Sequence, residues 1–494
     1  MIDYHALAPE FILAGTIVLV LVLDMLPVPK WYTAVAGLTG LVAAAFPLLS
    51  LALLESEDRF LFADSYVVDD FALVLKGLFI ITGFIALLLS VSYIESDRYY
   101  QGEFYFLLLS SVLGAVVMAS SRDLITIFIG LELVSAPGFL LAGWRKGDAK
   151  SNEAALKFFI IGVLSAAILL FGMSLVYGIT GEITFSGIAA ASVGLSDEPA
   201  MILGVLMVLG GFAFKVSAVP FHFWAPDTYE GSPMPVAAYL SVGSKAAGFV
   251  GLLSLCFLAF AELRDIWGPA IWILAALSMT VGNLIALRQT NVIRLLGYSS
   301  IAHGGFILVP FAMAASFDAV ALGDAFSATV TYLLVYAFMN LGAFAVAMAI
   351  SRKVGSVDID DWGGLFGYAP ALATLQAVFF FSLAGIPPVA GWFAKFVMFK
   401  AVLGASGNSW GVILASIAAI NAVIGFFYYA RVVKTSWMDS IPESVASQDA
   451  RGTELAPSLS LALGLTAFVV VAVGIFPQLL AFFGDATRAL ALGG

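Results

Sequence analysis

Long apolar runs joined by short polar connections make up almost the whole chain. A helix needs about 20 mostly apolar residues to cross a bilayer. Fourteen runs meet this condition, at 9–27, 31–54, 69–94, 103–119, 123–143, 152–178, 200–224, 235–260, 266–287, 291–315, 325–350, 370–403, 409–434 and 457–483. The pattern therefore predicts an all-α polytopic membrane protein with about fourteen transmembrane helices.

Two of these runs are interrupted by proline. Pro220 breaks the seventh run within GGFAFKVSAVPFHFWAP, and Pro387 and Pro388 break the twelfth within LAGIPPVAGWFAK. Lipid offers no partner to a freed backbone N–H or C=O, so such a break must face protein or a wet cavity. Each break lies in the fourth helix of a group of five, which predicts two inverted five-helix repeats. We expect an N-terminal three-helix segment at 1–102, repeats at 103–262 and 263–434, and a final loop and helix at 435–494.

The distribution of basic residues predicts the orientation. Alternate loops hold Lys30, Arg98, Arg145, Lys146, Lys150, Arg288, Arg294, Arg352, Lys353, Arg431, Lys434 and Arg451. The other loops and the C-terminal tail hold only Arg59, Arg122, Arg264 and Arg488, and several are acidic, at 55–58, Asp64, Glu182, Asp197 and Glu198. The positive-inside rule makes the first set cytoplasmic. Both termini are then expected on the outer side of the cell inner (plasma) membrane.

Composition narrows the function classes. Only 11% of the residues are charged and 62% are hydrophobic, whereas a soluble domain carries roughly 25% charged residues. A single cysteine, Cys256, and three histidines argue against a disulfide framework, a structural metal site or an Fe–S cluster. No nucleotide-binding loop or nucleophile elbow is recognisable. We therefore expect no cofactor or metal in this chain, and no nucleic-acid partner.

Several ionisable residues lie inside the apolar runs. A charge at the centre of a helix costs at least about 2.5–3.5 kcal/mol, so each one is a candidate functional residue. Glu132 lies mid-run, Lys215 stands beside the first break, Lys245 sits among small residues, and Lys395 follows the second break. The alternatives are structural: an interhelical hydrogen bond for the acid, and bonds to backbone carbonyls at a break for the lysines.

Two further candidates have stronger structural alternatives. Lys157 lies about one turn inside its helix, so it is either part of the row or reaches the cytoplasmic surface. His303, in GYSSIAHGGF, suits a proton relay in a wet channel or is a satisfied core residue. His222 and Asp227 lie near the cytoplasmic mouth of the first break and either gate it or order the loop. We expect the uncharged polar residues within the runs to join helices by hydrogen bonds; these are Asn283, Asn340, Gln376 and Asn421.

Four motifs resemble a known family: GLELVSAP, KVSAVPFHFWAPDTYEGSP, GYSSIAHGGF and LAGIPPVAGWFAKF. They are similar to those of the antiporter-like membrane subunits of proton-pumping NADH:quinone oxidoreductase, respiratory complex I. The wider family includes subunits of multisubunit cation/proton antiporters. The chain is too short for the long lateral helix of the L branch. Lys395 replaces the acid of the M branch, and an early APE segment favours the N branch, with the M branch as the alternative within the same complex.

The resemblance implies a role for each candidate. Glu132 would pair with Lys215, Lys245 would be the central relay, Lys395 would end the second half-channel, and His303 and Lys157 would match family positions. NAD, FMN, Fe–S clusters and quinone would belong to partner subunits. The partners would be the neighbouring antiporter-like subunit, the small membrane subunits and the bilayer.

Two other functions stay open from the sequence. One is a cation/proton antiporter module outside any redox enzyme, which the shared motifs allow. The other is a passive membrane scaffold, which leaves the buried ionisable residues unexplained.

Overall fold

The fold is a bundle of long helices that contains two broken members. The computed structural model describes residues 3–54, 57–95, 102–316, 318–404, 409–446 and 455–491. Twelve of the described helices are long and apolar enough to cross a membrane, and two shorter apolar helices belong to the broken members. We number the membrane units α1 to α14: Ala8–Met25, Trp31–Leu54, Asp70–Glu95, Glu103–Ser120, Leu124–Ala142, Ala149–Thr180, α7a Pro199–Lys215 and α7b Trp224–Gly231, Met234–Ala259, Arg264–Ala286, Val292–Leu308, Ala319–Val354, α12a Pro370–Ala384 and α12b Gly391–Leu403, Ser409–Met438, and Pro457–Ile475. The predicted all-α polytopic fold is confirmed.

Short elements fill the connections. Two three-residue strands, β1 Arg59–Leu61 and β2 Tyr66–Val68, pair antiparallel between α2 and α3. The remaining short helices are Phe185–Ala191, Ala261–Leu263, Pro310–Ser316, Asp360–Trp362, Leu365–Tyr368, Glu443–Ala446, Gln478–Ala486 and Arg488–Ala491.

Polar residues set where several long helices begin. The Asp123 carboxylate accepts from the backbone N–H of Ile125 and of Thr126, both at 2.8 Å, and so caps α5. Asp148 caps α6 and Asn291 caps α10 in the same way. A side-chain acceptor here satisfies backbone donors that have no partner within the helix.

Successive helices alternate in direction across the bundle. The face that holds the N-terminus, here called the terminal face, also holds the connections before α3, α5 and α7a. They are joined there by backbone hydrogen bonds of 2.9 Å from Arg122 N to Ser65 O and from Phe185 N to Arg122 O. On the other face, here called the opposite face, Asn291 pairs with Asp358. Three of the loop residues used to predict orientation, Glu55, Arg98 and Arg451, lie outside the described part of the chain.

The same helix neighbours occur in both predicted repeats. In the first, α4 packs on α5, and α6 packs on both halves of α7; in the second, α9 packs on α10, and α11 on both halves of α12. Each break contains a cis peptide bond, Val219–Pro220 in one and Pro387–Pro388 in the other. The equivalent packing and the equivalent breaks agree with two five-helix units of inverted direction.

Candidate functional site

The first break starts before its proline. Helix α7a ends at Lys215, five residues ahead of Pro220, where the sequence pattern had placed the interruption. Ser217 adopts φ 56°, a left-handed conformation that cannot continue a right-handed helix. The Val219 N–H, freed by the break, donates to Ser278 Oγ of α9 at 2.9 Å. Protein rather than lipid thus satisfies the open backbone.

Lys215 is buried at the end of α7a, and Ser135 of α5 is its hydrogen-bond partner. Glu132 lies on the same face of α5, one turn earlier, and is half-buried. Its charge interacts with Lys215, yet among the described residues Lys215 forms no ion pair. The predicted pairing of Glu132 with Lys215 is therefore not a direct contact here. Ser135 was missed, although its position three residues after Glu132 was the signal that could have found it.

Lys245 joins the two halves of the protein. It lies on α8, directly after a π-helical segment at Leu240–Ser244. Its Nζ donates to Ser300 O at 2.7 Å and to Ser300 Oγ at 3.0 Å, and Ser300 belongs to α10. These bonds go to another helix of the second half, not to the break. π-Helical turns of this kind occur frequently at functional sites.

Small residues bring the lysines together. Gly248 follows Lys245 by one turn on α8, and a Cβ added there would lie 2.9 Å from Lys215 Cβ. A Cβ added at Gly304 of α10 would lie 3.2 Å from Val216 O and 3.9 Å from Lys245 Nζ. The two glycines thus hold the end of α7a, the middle of α8 and the middle of α10 in contact.

His303 follows Ser300 by one turn of α10 and is buried. Its Nδ1 lies 3.0 Å from Tyr332 Oη and its Nε2 lies 3.3 Å from Tyr429 Oη. Which ring nitrogen carries the proton depends on the tautomer. Lys245 bonds to Ser300, one turn before His303 on α10, and Lys395 Nζ lies 5.2 Å from the ring centre of Phe306, one turn after it. The histidine therefore lies between the two lysines along α10.

Lys395 is the fifth residue of α12b, so it follows its break whereas Lys215 precedes its own. The two broken helices correspond, but their lysines lie on opposite sides of the breaks. The Lys395 side chain folds back, however, and Nζ donates to Ala384 O, the last residue of α12a, at 2.5 Å. This is the backbone contact that the structural alternative expected.

Lys157 lies apart from the buried row. Its side chain is 42% exposed and its Nζ is 2.7 Å from both Asp227 and Glu153. Arg294 forms two ion pairs through Nη1, with Asp227 Oδ1 at 2.9 Å and with Glu230 Oε2 at 2.7 Å. The structure therefore places Lys157 and Asp227 in an ion-pair network at the opposite face, below the first break.

Most of the buried amides join helices as expected. Asn283 donates to Asn421 O and Oδ1 at 3.1 and 3.2 Å, and Asn340 donates to Ser241 of the π-helical segment at 2.8 Å. Gln376 of α12a differs: it is fully buried, and neither its Nε2 nor its Oε1 has a hydrogen-bond partner among the described residues. A buried amide in this state is suited to ordered water.

Chemically, the site is a row of buried groups that can gain and lose protons. It runs from Lys215 through Lys245 and His303 to Lys395, and the Ser300 hydroxyl lies between Lys245 and His303 along α10. Within the described ranges no cluster of three or more His, Cys, Asp or Glu residues could hold a metal ion. Buried ionisable groups beside broken helices in two inverted repeats define a class: an antiporter-like membrane subunit.

Comparison with known proteins identifies the family. Residues 121–424 match the family described as "NADH:quinone oxidoreductase/Mrp antiporter, TM". NADH-quinone oxidoreductase subunit N 2 of Streptomyces griseus is 41% identical over 477 residues, covering 93% of this chain and 86% of that protein. The chain belongs to this family of membrane subunits, and the predicted resemblance to its N branch is confirmed.

Solved structures agree. A chain in respiratory complex I of Thermus thermophilus with bound aureothin matches with a TM-score of 0.76 and 30% identity, covering 98% of this chain and all of that one. A chain of the Mrp complex from a Dietzia species matches with a TM-score of 0.84 at 18% identity, covering 100% of both chains. The second likeness shows a shared fold only.

Proposed function

We propose that this chain is the proton-translocating subunit N of an NADH:quinone oxidoreductase. Glu132, Lys215, Lys245, His303 and Lys395 would transfer the protons. The observation that carries the proposal is the row of buried ionisable groups, in which Lys245 of the first repeat bonds to Ser300 of the second. A passive scaffold gives no reason to bury four such groups, since each is costly to bury in a membrane.

The row supports transfer in both halves. Each end lies at a helix break, where backbone groups are held by protein and the helix is open. Lys215 can exchange its hydrogen bond to Ser135 for an ion pair with Glu132 one turn away. Lys245 and His303 are then linked through one turn of α10. Lys157 and Asp227 would belong to the entry at the opposite face.

Redox chemistry would take place elsewhere in the complex. NAD, FMN, Fe–S clusters and quinone would be held by partner subunits, and this chain would move protons in response. The partners would be the adjoining antiporter-like subunit and the small membrane subunits. We assign the opposite face to the cytoplasm and the terminal face to the outer side of the plasma membrane, because Lys and Arg collect on the former.

Purification tests the assembly. A tagged chain should recover a membrane complex that oxidises NADH and reduces quinone. Recovery as an isolated chain with intact cation/proton exchange would contradict the proposal and favour an antiporter module.

Substitution tests the row. Lys245→Ala in the assembled complex should lower protons pumped per NADH, while the matched control Lys146→Ala, an exposed loop lysine, should not. Equal pumping in both variants would remove Lys245 from the route.

A further inference from the structure

A second buried ionisable cluster lies outside the row, in the N-terminal three-helix segment. Lys76 of α3 is fully buried, and its Nζ is 2.7 Å from Glu10 Oε1 of α1. Tyr66 of β2 donates its hydroxyl to the same oxygen at 2.7 Å, and Lys76 Nζ lies 5.1 Å from the centre of the Tyr66 ring. The row described above uses none of these three residues.

We propose that Glu10, Tyr66 and Lys76 form a proton-exchange site that opens to the terminal face. The proposal depends on the proposed function, because it supplies that function with a place where protons meet the outer solution. The other carboxylate oxygen, Glu10 Oε2, is buried and has no hydrogen-bond partner among the described residues. The Glu10 side chain is nevertheless 12% exposed. The acid is thus partly open to the surface and has a free acceptor for a proton or a water molecule.

Stability alone does not explain a buried ion pair at this position. Removing two charges from water is expensive, and well-packed apolar residues in their place are often neutral or stabilising. The surroundings are also charged. Arg122, between α4 and α5, lies 2.5 Å from Asp69, and both act on Lys76. Asp58, Asp69 and Asp70 line one small cleft at the start of α3.

The neighbouring loop favours proton uptake at the surface. Burial raises the pKa of Asp58; Asp69 and Asp70 raise it further, and Arg122 lowers it. Asp3 lies 3.7 Å from Arg59 on β1. Acidic groups therefore lie near the cluster on the terminal face, with Arg59 and Arg122 as the neighbouring basic groups.

The proton step balances within the cluster. The Lys76 ammonium passes a proton to Glu10 Oε1 across 2.7 Å, which leaves a neutral amine and a carboxylic acid. The acid then loses that proton to water at the terminal face, and the cluster carries one negative charge. A proton arriving at Lys76 from the interior restores the ion pair.

The test is a neutral double variant, Glu10→Gln with Lys76→Met, in the assembled complex. It removes both charges together, so neither is left buried alone. The control is Asp24→Asn with Lys30→Met, which removes the 2.5 Å ion pair at the other end of the same helix α1. We expect the first to lower protons pumped per NADH with redox turnover intact under uncoupler, and the second to leave pumping unchanged. Equal pumping in both would overturn the proposal.

A second measurement tests the site even if the double variant does not assemble. Infrared difference spectra of the resting complex across a pH step should show a carboxyl band that disappears in Glu10→Gln and shifts in Tyr66→Phe, which keeps both charges. A spectrum unchanged by Glu10→Gln would refute exchange at this site.

The Lys395→Ala variant distinguishes failure of the proposed function from failure of the proton-exchange site. If it pumps normally while the double variant does not, the buried row fails and the outer site stands; the reverse result removes the outer site alone.

Discussion

Removing the charge of Glu132 should prevent Lys215 from exchanging its hydrogen bond to Ser135 for an ion pair with Glu132. Glu132 and Ser135 are three residues apart on α5, which places their Cβ atoms about 5–6 Å apart. Lys215 Nζ bonds to Ser135 Oγ, so the same spacing puts the Glu132 carboxylate roughly 6 Å from the ammonium. At an effective dielectric near 20, Coulomb's law gives about 2.8 kcal/mol of attraction. A hydrogen bond to a charged group contributes about 1.5–3 kcal/mol, so the two positions of the lysine are closely balanced.

This balance predicts a specific mutational pattern. Glu132→Gln keeps the shape but removes the 2.8 kcal/mol estimated above, a change of up to about 100-fold in the equilibrium that holds the proton on Lys215. Glu132→Gln and Lys215→Ala should each lower pumping, and the double variant should be little worse than either, because both remove the same coupling. Lys215→Arg should also fail, since arginine does not release its proton.

The assay is proton uptake by sealed vesicles driven by NADH, with NADH:quinone turnover measured under uncoupler in the same assembled complexes. Glu262→Gln, an exposed acid in the Ala261–Leu263 turn, serves as the matched control and should pump normally. Full pumping by Lys215→Arg would show that a fixed charge is enough, and the proton-loading role of Lys215 would be refuted. Additive losses in the double variant would mean that Glu132 and Lys215 act independently.

Three further predictions concern other parts of the molecule. Reporter fusions after Lys150 and Lys353 should read cytoplasmic and one after Asp197 should read outside; a cytoplasmic signal at Asp197 would contradict both the orientation and the inverted repeats. Lys395→Ala should impair pumping with the complex assembled, while Lys400→Ala, an exposed lysine on the same α12b, should not; equal activity would make Lys395 a structural residue bound to Ala384. Asp123→Ala should destabilise the protein by about 1 kcal/mol because it removes the α5 cap, measured as thermal unfolding in detergent, whereas Glu198→Ala, at a helix start with no side-chain cap bond, should leave stability unchanged.

The helices could be predicted because the membrane imposes one length and one polarity on each of them. All fourteen spans were placed, and most ends differ from the structure by only a few residues. The ends of the breaks were harder, because proline shows only that a helix cannot continue. Helix α7a stops at Lys215, where Ser217 turns to positive φ and Ser278 receives the open backbone. That contact joins residues 59 positions apart, and no local pattern encodes it.

The sequence was enough to predict the ionisable residues of the site, but not the hydrogen-bond partner of each one. Three lysines could be recognised in the sequence because each is a charge within an apolar run: Lys215, Lys245 and Lys395. Their partners are a serine, a serine backbone and a helix-end carbonyl, groups too common in sequence to single out. The buried cluster around Lys76 escaped notice because that lysine stands only six residues inside its helix, where reaching the surface is the ordinary expectation. In the structure Lys76 is fully buried instead. Glu10 of α1 contacts its ammonium, and Tyr66 of β2 donates a hydrogen bond to Glu10. Depth along a helix therefore predicts burial only where no neighbouring segment closes over the helix end.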